Sequence, residues 1–208
     1  MLRPRFIQRS CVEGDHIDLR QAAAIKRFRP DIVLFELPSN QAVPTNQAEI
    51  DQIIAHLEIA AKKYPYARSD IAVWQNIGQL WRAGCHLQAF NIDGPDGLRR
   101  VVNTEFTEKY PAVRRDWLFW AYLYTRERQM ADNIERIINN CDKPNPTVAV
   151  FLQSIHWKHV RFLMRHPQPP QIWRYYFGRF PEITPENIDD KIRQRSPTLG
   201  RFWKRRLG

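Results

Sequence analysis

Two short apolar runs constrain this chain of 208 residues more than any other feature. They are Ile32-Val33-Leu34-Phe35 and Val148-Ala149-Val150-Phe151-Leu152. A strand with one solvated face alternates apolar and polar residues. A strand that does not alternate is buried on both faces, as in a parallel sheet covered by helices. The runs belong to a set of expected strands at residues 5–12, 31–37, 87–92 and 147–153. Helical patterns separate them at 17–29, 47–64, 71–83 and 116–140. In the second pattern Ile50, Ile53, Ile54, Leu57 and Ala61 recur with a 3.6-residue period, and in the third Ala72, Val73, Ile77, Leu80 and Trp81 do the same. The fourth is aromatic in its first half and polar in its second. Pro30, Gly84, Pro144 and Pro146 punctuate the helix ends. Helix after strand, repeated, predicts an α/β fold: an open, mostly parallel sheet flanked by helices, with a helical C-terminal extension.

Composition narrows the function classes. Glycine is sparse at 8 residues, against a Gly-rich phosphate loop. No run of about 18 apolar residues exists, so no transmembrane segment is expected. Residues 1–11 carry cations but no apolar stretch, so no signal peptide is expected. The 3 cysteines, Cys11, Cys85 and Cys141, are odd in number and form no CxxC, against a disulfide scaffold or zinc ribbon. The expectation is a reduced, cytoplasmic protein.

The formal net charge is +10, which invites an anionic partner. Residues 165–208 hold ten Lys or Arg against four Asp or Glu, about six of those net charges. They also hold Trp173, Tyr175, Tyr176, Phe177, Phe180, Phe202 and Trp203 among several prolines. This divides the chain into an α/β body at 1–165 and a basic, aromatic, Pro-rich extension at 166–208 packed on it. The aromatics of the extension are expected to face the body and its arginines the solvent.

In open α/β sheets, ligands sit beyond the carboxyl ends of the strands. The first strand delivers Glu13-Gly14-Asp15-His16 there, the second Glu36, the third Asp93, and the fourth His156-Trp157-Lys158-His159. Histidine with carboxylate suits a divalent transition metal, or a metal-free pair in which a carboxylate orients an imidazole. Bland roles compete: Asp15 or Asp18 caps a helix, and His156 and His159, at i and i+3, serve as carboxylate partners. Residues 125–133 read mainly as a solvated helix face with i,i+4 charge pairs. Met130 and Ile134 are expected in the core, and Arg126 as a fixed cation for an oxyanion or a substrate carboxylate.

These pieces, in this order, resemble the Tiki/TraB superfamily, with its erythromycin esterase and ChaN-like relatives. Glu13-Gly14-Asp15-His16 is similar to the ExxH of the esterase branch. Residues 29–37, Arg-Pro-Asp-Ile-Val-Leu-Phe-Glu-Leu, resemble the TraB segment "kPDvValEL", with Glu36 as its acid. Arg126 through Asn133 is similar to "RDxxMAxN", with Glu127 in place of the aspartate and Met130, Ala131 and Asn133 matching. His156-Trp157-Lys158-His159-Val160 resembles HxxHV. Residues 84–93 resemble the "G..v..iD" stretch between them, and the likeness spans roughly residues 5–165.

The resemblance implies a hydrolase, esterase- or metallopeptidase-like, with a catalytic set of His16, Glu36, Arg126 and His159. Glu13, Asp93 and His156 take secondary places. His16, Glu36 and His159 are the implied ligands where a divalent metal (Mn, Co or Zn) assists, and the substrate is a small molecule or peptide. Glu13 and His156 stand where GxxH motifs have glycine, and Lys158 precedes the second histidine. The alternative is therefore a catalytically inactive binding protein, with Arg174, Arg201, Lys204 and Arg205 contacting nucleic acid or another anion. The many aromatics also fit a homo-oligomer.

Overall fold

The chain forms strands at each expected place in the computed structural model, which describes residues 5–9, 27–35, 44–64, 67–89, 112–152 and 154–195. β1 is Arg5–Arg9, β2 Ile32–Phe35, β3 His86–Ala89 and β4 Thr147–Phe151. They form a parallel sheet in the order β1-β4-β2-β3. The two unalternating runs are the inner strands, where burial on both faces is required. The chain is a mixed α/β protein.

Among the described residues the helices with both ends given are α1 Gln47–Ala61, α2 Ala67–Arg82, α3 Trp117–Asn139, α4 Ser154–Arg165, α5 Pro169–Phe177 and α6 Ile188–Arg195. A 3-10 turn, Ala112–Arg115, precedes α3. α2 begins before the expected residue 71, because its first turn is polar apart from Ala67 and carries no apolar period. Most of the helix expected at 17–29 lies outside the described residues, as do residues 10–12, 36–37, 90–92 and 153 of the expected strands. Among the described residues no helix is long and apolar enough to cross a membrane.

Contacts divide the chain into two compact units, each discontinuous in sequence. The first holds residues 1–91 and 133–158, and the second 92–132 and 159–208. The segment after residue 165 thus shares its unit with the first part of α3 and the end of α4.

In the first unit, Val33, Ala149 and Phe151 lie on one face of the sheet and pack with Ile50 of α1 and Trp74, Ile77 and Leu80 of α2. On the other face Phe6, in register with Val148, meets the Trp157 ring at 5.3 Å. Polar groups fasten the periphery. Asn46 caps α1 by accepting from the Glu49 amide at 2.9 Å, and Glu49 reaches back to the Thr45 amide at 2.7 Å, a capping box displaced by one residue. Gly84 ends α2 with φ 76°, a left-handed conformation that costs glycine nothing. At the start of β2 the Asp31 amide donates to Thr147 O (2.8 Å), and the Asp31 carboxylate accepts from the Thr147 amide (2.7 Å). Lys143 donates to the same carboxylate. That bond first, and the Thr147 amide second, hold the Asp31 carboxyl below the usual carboxylate range.

The second unit is built from rings. Tyr124 of α3 meets Trp173, Tyr176 and Phe177 of α5 edge-on, at centroid distances of 6.0, 5.3 and 6.3 Å. Phe162 of α4 stacks on Tyr175 at 4.2 Å. Ile172, Tyr176 and Phe177 are buried while Arg174 is exposed. Arg195 of α6 makes a two-pronged bond to Asp116 (2.7 and 2.6 Å), whose carboxylate also accepts from the Leu118 amide at the start of α3. This ties the end of α6 to the head of α3 with charge-assisted bonds.

Candidate functional site: a buried carboxylate and imidazole

On α3 the side chains of Leu118, Ala121, Met130, Ala131, Ile134 and Ile138 are buried, so one stripe of the helix faces inward. Glu127 stands three residues before Met130 and four before Ala131, which places it on that stripe. It is 0% exposed. A carboxylate there is tolerable only with hydrogen-bonded partners.

His159 and Tyr176, both of the second unit, meet it. Nδ1 of His159, on α4, lies 2.9 and 2.8 Å from the two Glu127 oxygens. The Tyr176 hydroxyl, on α5, donates to Oε2 at 2.5 Å. Glu127 therefore joins α3, α4 and α5. His159 is 9% and Tyr176 2% exposed, so the three groups share a nearly dry environment. The Tyr175 and Tyr176 rings lie edge-on to the imidazole at 5.2 and 5.7 Å.

The electrostatics follow from burial and from the Glu127 charge. Burial first, and the nearby carboxylate second, push the Tyr176 phenol far above its usual range. Tyr176 therefore stays protonated and remains a donor. The same two causes, in the same order, raise Tyr175. An ionised carboxylate only accepts, so Nδ1 of His159 carries a proton toward it. In the neutral ring this leaves the lone pair on Nε2. An imidazole with one nitrogen held by a carboxylate and the other free to take a proton or a metal is a recurrent chemical unit.

Of the other candidates, Arg126 is half-buried and lies one residue before Glu127, about 100° around the helix. His156 is half-buried on α4, in the part that belongs to the first unit. Lys158 is exposed, while Trp157 and Val160 are buried. Arg174 is exposed on α5. His16, Glu13, Glu36, Asp93, Arg201, Lys204 and Arg205 lie outside the described residues. Among the described residues no group of three or more His, Cys, Asp or Glu stands ready to hold a metal.

One expectation is corrected. Residues 125–133 read as mainly a solvated face, and Arg128 with Asp132 (3.1 Å) is a pair of that kind. Glu127 is the opposite, the buried centre of a network. Met130 and Ile134 are in the core, as expected. Sequence reasoning had Glu127 only as the aspartate's replacement in a motif likeness and Tyr176 only among inward-facing rings, and gave neither a chemical role. The available signal was position: a carboxylate in phase with Met130, Ala131 and Ile134 cannot be solvated when they are buried. Comparison with protein-family models, curated proteins and solved structures yields no match.

Proposed function

We propose that the chain is a hydrolase of small-molecule esters or peptides, with His159 as general base and Glu127 as the group that orients it. The observation that supports this reading most is the contact of His159 Nδ1 with both Glu127 oxygens in a buried setting. It joins two segments singled out by their likeness to the Tiki/TraB and erythromycin esterase motifs, 126–133 and 156–160. The finer architecture proposed with it is an open parallel sheet flanked by helices, with a helical C-terminal extension. The proposed setting is the cytoplasm, which suits an odd number of cysteines with no CxxC.

In the proposed reaction Nε2 of His159 takes a proton from water while the water oxygen bonds to the substrate's carbonyl carbon. Glu127 stabilises the imidazolium that forms, and Tyr176 fixes the carboxylate. Arg126 is proposed to stabilise the oxyanion. As the tetrahedral centre collapses, the bond to the leaving group breaks and the imidazolium returns its proton to that group. His159 has a nitrogen suited to metal ligation, and a divalent Mn, Co or Zn bound to it would supply a Lewis acid there.

The test is hydrolysis of a panel of nitrophenyl esters and peptide anilides by the full chain, with and without added divalent metal. His159→Asn keeps an amide donor toward Glu127 and removes the base. It is expected to fold and to lose about 10²- to 10⁴-fold in kcat/KM. No hydrolysis by the parent protein, or full activity in folded His159→Asn, contradicts the reading. A second reading, an inactive binding protein in which this network is a structural staple, is favoured by the low exposure of all three residues. It predicts that Tyr176→Phe and His159→Asn change stability alone.

A further inference from the structure

We propose that the surface formed by the second half of α4 and by α5 binds single-stranded nucleic acid. The first observation is charge. Between Asp142 and Glu182 the chain contains no acidic residue. Within the second unit this stretch presents Arg161, Arg165 and Arg174, all exposed. Among the described residues none of these three has an ion-pair or hydrogen-bond partner. Three arginines elsewhere in the unit are engaged with carboxylates: Arg128 with Asp132, Arg193 with Asp190 and Arg195 with Asp116. Arg179 lies over the Trp120 ring at 5.1 Å. Three unengaged guanidiniums on adjoining helices form an anion-binding surface, and the planar fork of arginine matches phosphate oxygens.

The second observation is the rings between them. Phe162 and Tyr175 are stacked at 4.2 Å with planes 15° apart, and each is only half-buried. The exposed His166 leans on Phe162 at 4.7 Å. Arg161 and Arg165 flank Phe162 on α4, and Arg174 precedes Tyr175 on α5. Cations beside half-open rings fit a strand whose bases are free to stack and whose phosphates are regularly spaced. A duplex hides its base faces and leaves the rings unused. Half of the aromatic expectation for this segment therefore stands, since Ile172, Tyr176 and Phe177 do face inward. Trp173, Tyr175 and Phe180 are half-buried and do not wholly follow them.

The experiment uses the full chain and fluorescein-labelled 20-mers of uridine and of deoxythymidine, read by anisotropy between about 50 and 200 mM salt. The variant Arg161→Gln/Arg165→Gln/Arg174→Gln is compared with Lys62→Gln/Lys63→Gln/Arg68→Gln, which removes equal charge from exposed sites of the first unit. Circular dichroism confirms that both are folded. The first variant is expected to bind at least about tenfold more weakly at 100 mM salt. Its slope of log affinity on log salt should be shallower by about two, near 0.7 per lost phosphate contact on a single strand. The control is expected to bind like the parent. Parent-like binding by the first variant overturns the proposal, as does an equal loss in the control. So does preference for a duplex of the same length, or for phosphatidylserine vesicles over either 20-mer at the same salt.

Discussion

The first unit buries hydrocarbon, and the second buries a charge. Around the sheet the fully enclosed side chains are Val33, Leu34, Ile50, Leu80, Val148, Ala149 and Val150. The polar links there, Asp31 to Lys143 and Thr147 and Asn46 to Glu49, sit at element ends and are partly solvated. In the second unit the network of Glu127, His159 and Tyr176 lies on the inward stripe of α3, among rings. Hydrocarbon packing tolerates loss in proportion to the volume removed. A buried charge tolerates the loss of a partner badly, because the remaining group keeps its desolvation cost. The two units should therefore fail in different ways.

The largest effect is expected from Glu127→Ala. It strands both His159 and the Tyr176 hydroxyl and should cost about 3–5 kcal/mol in urea unfolding. A loss below about 1 kcal/mol would mean that the network carries little of the second unit's stability. Leu34→Ala, at the middle of an inner strand, should cost about 3 kcal/mol by cavity formation, with no change in pH dependence.

Tyr176→Phe should cost about 2 kcal/mol at neutral pH, the worth of a hydrogen bond to a charged group. It should also change the alkaline limb. The native phenol is raised by burial and by Glu127, so the native state keeps a proton that the unfolded chain releases near pH 10. Stability is then full below about pH 10 and falls above it, by up to about 1.4 kcal/mol per pH unit for one such group. The variant should lose that slope.

Asp31→Asn gives the smallest effect and the opposite sign of pH dependence. The native carboxyl is held below its usual value, so its contribution is present above about pH 4 and disappears as pH falls through the native value. The substitution should cost about 1 kcal/mol at pH 7, since Lys143 is largely solvated. Near pH 2 it should cost almost nothing. A pH-independent cost would assign the effect to geometry instead of charge.

The same contrast explains what could be read from the sequence. The sheet was legible because residues 32–35 and 148–151 carry no alternation, and because apolar periods in α1 and α2 mark the faces that cover it. The start of α2 was not, since a polar first turn gives no period. The strand pairing order was not legible either, because parallel neighbours are joined by long crossovers and leave no local trace. At the candidate site, His159 could be singled out by its residue type and its place after β4. Glu127 was hidden by its neighbours. Arg126, Arg128 and Asp132 make the stretch look solvated, and a single buried acid among them does not change a hydropathy pattern. Tyr176 was legible as an inward-facing ring, but not as a donor, because its partner lies 49 residues away in sequence.

The central claim is that Glu127 and His159 act as one buried unit. A double-mutant cycle with Glu127→Leu and His159→Leu, read as unfolding free energy at pH 7, tests it most directly. Each single variant leaves the other member of the pair without this partner, and the double variant removes both members; the Tyr176 hydroxyl loses its acceptor equally in Glu127→Leu and in the double variant, so that loss cancels in the cycle. The account predicts that the double variant is more stable than the sum of the single losses requires, by at least about 2 kcal/mol. Additivity within about 0.5 kcal/mol would contradict it.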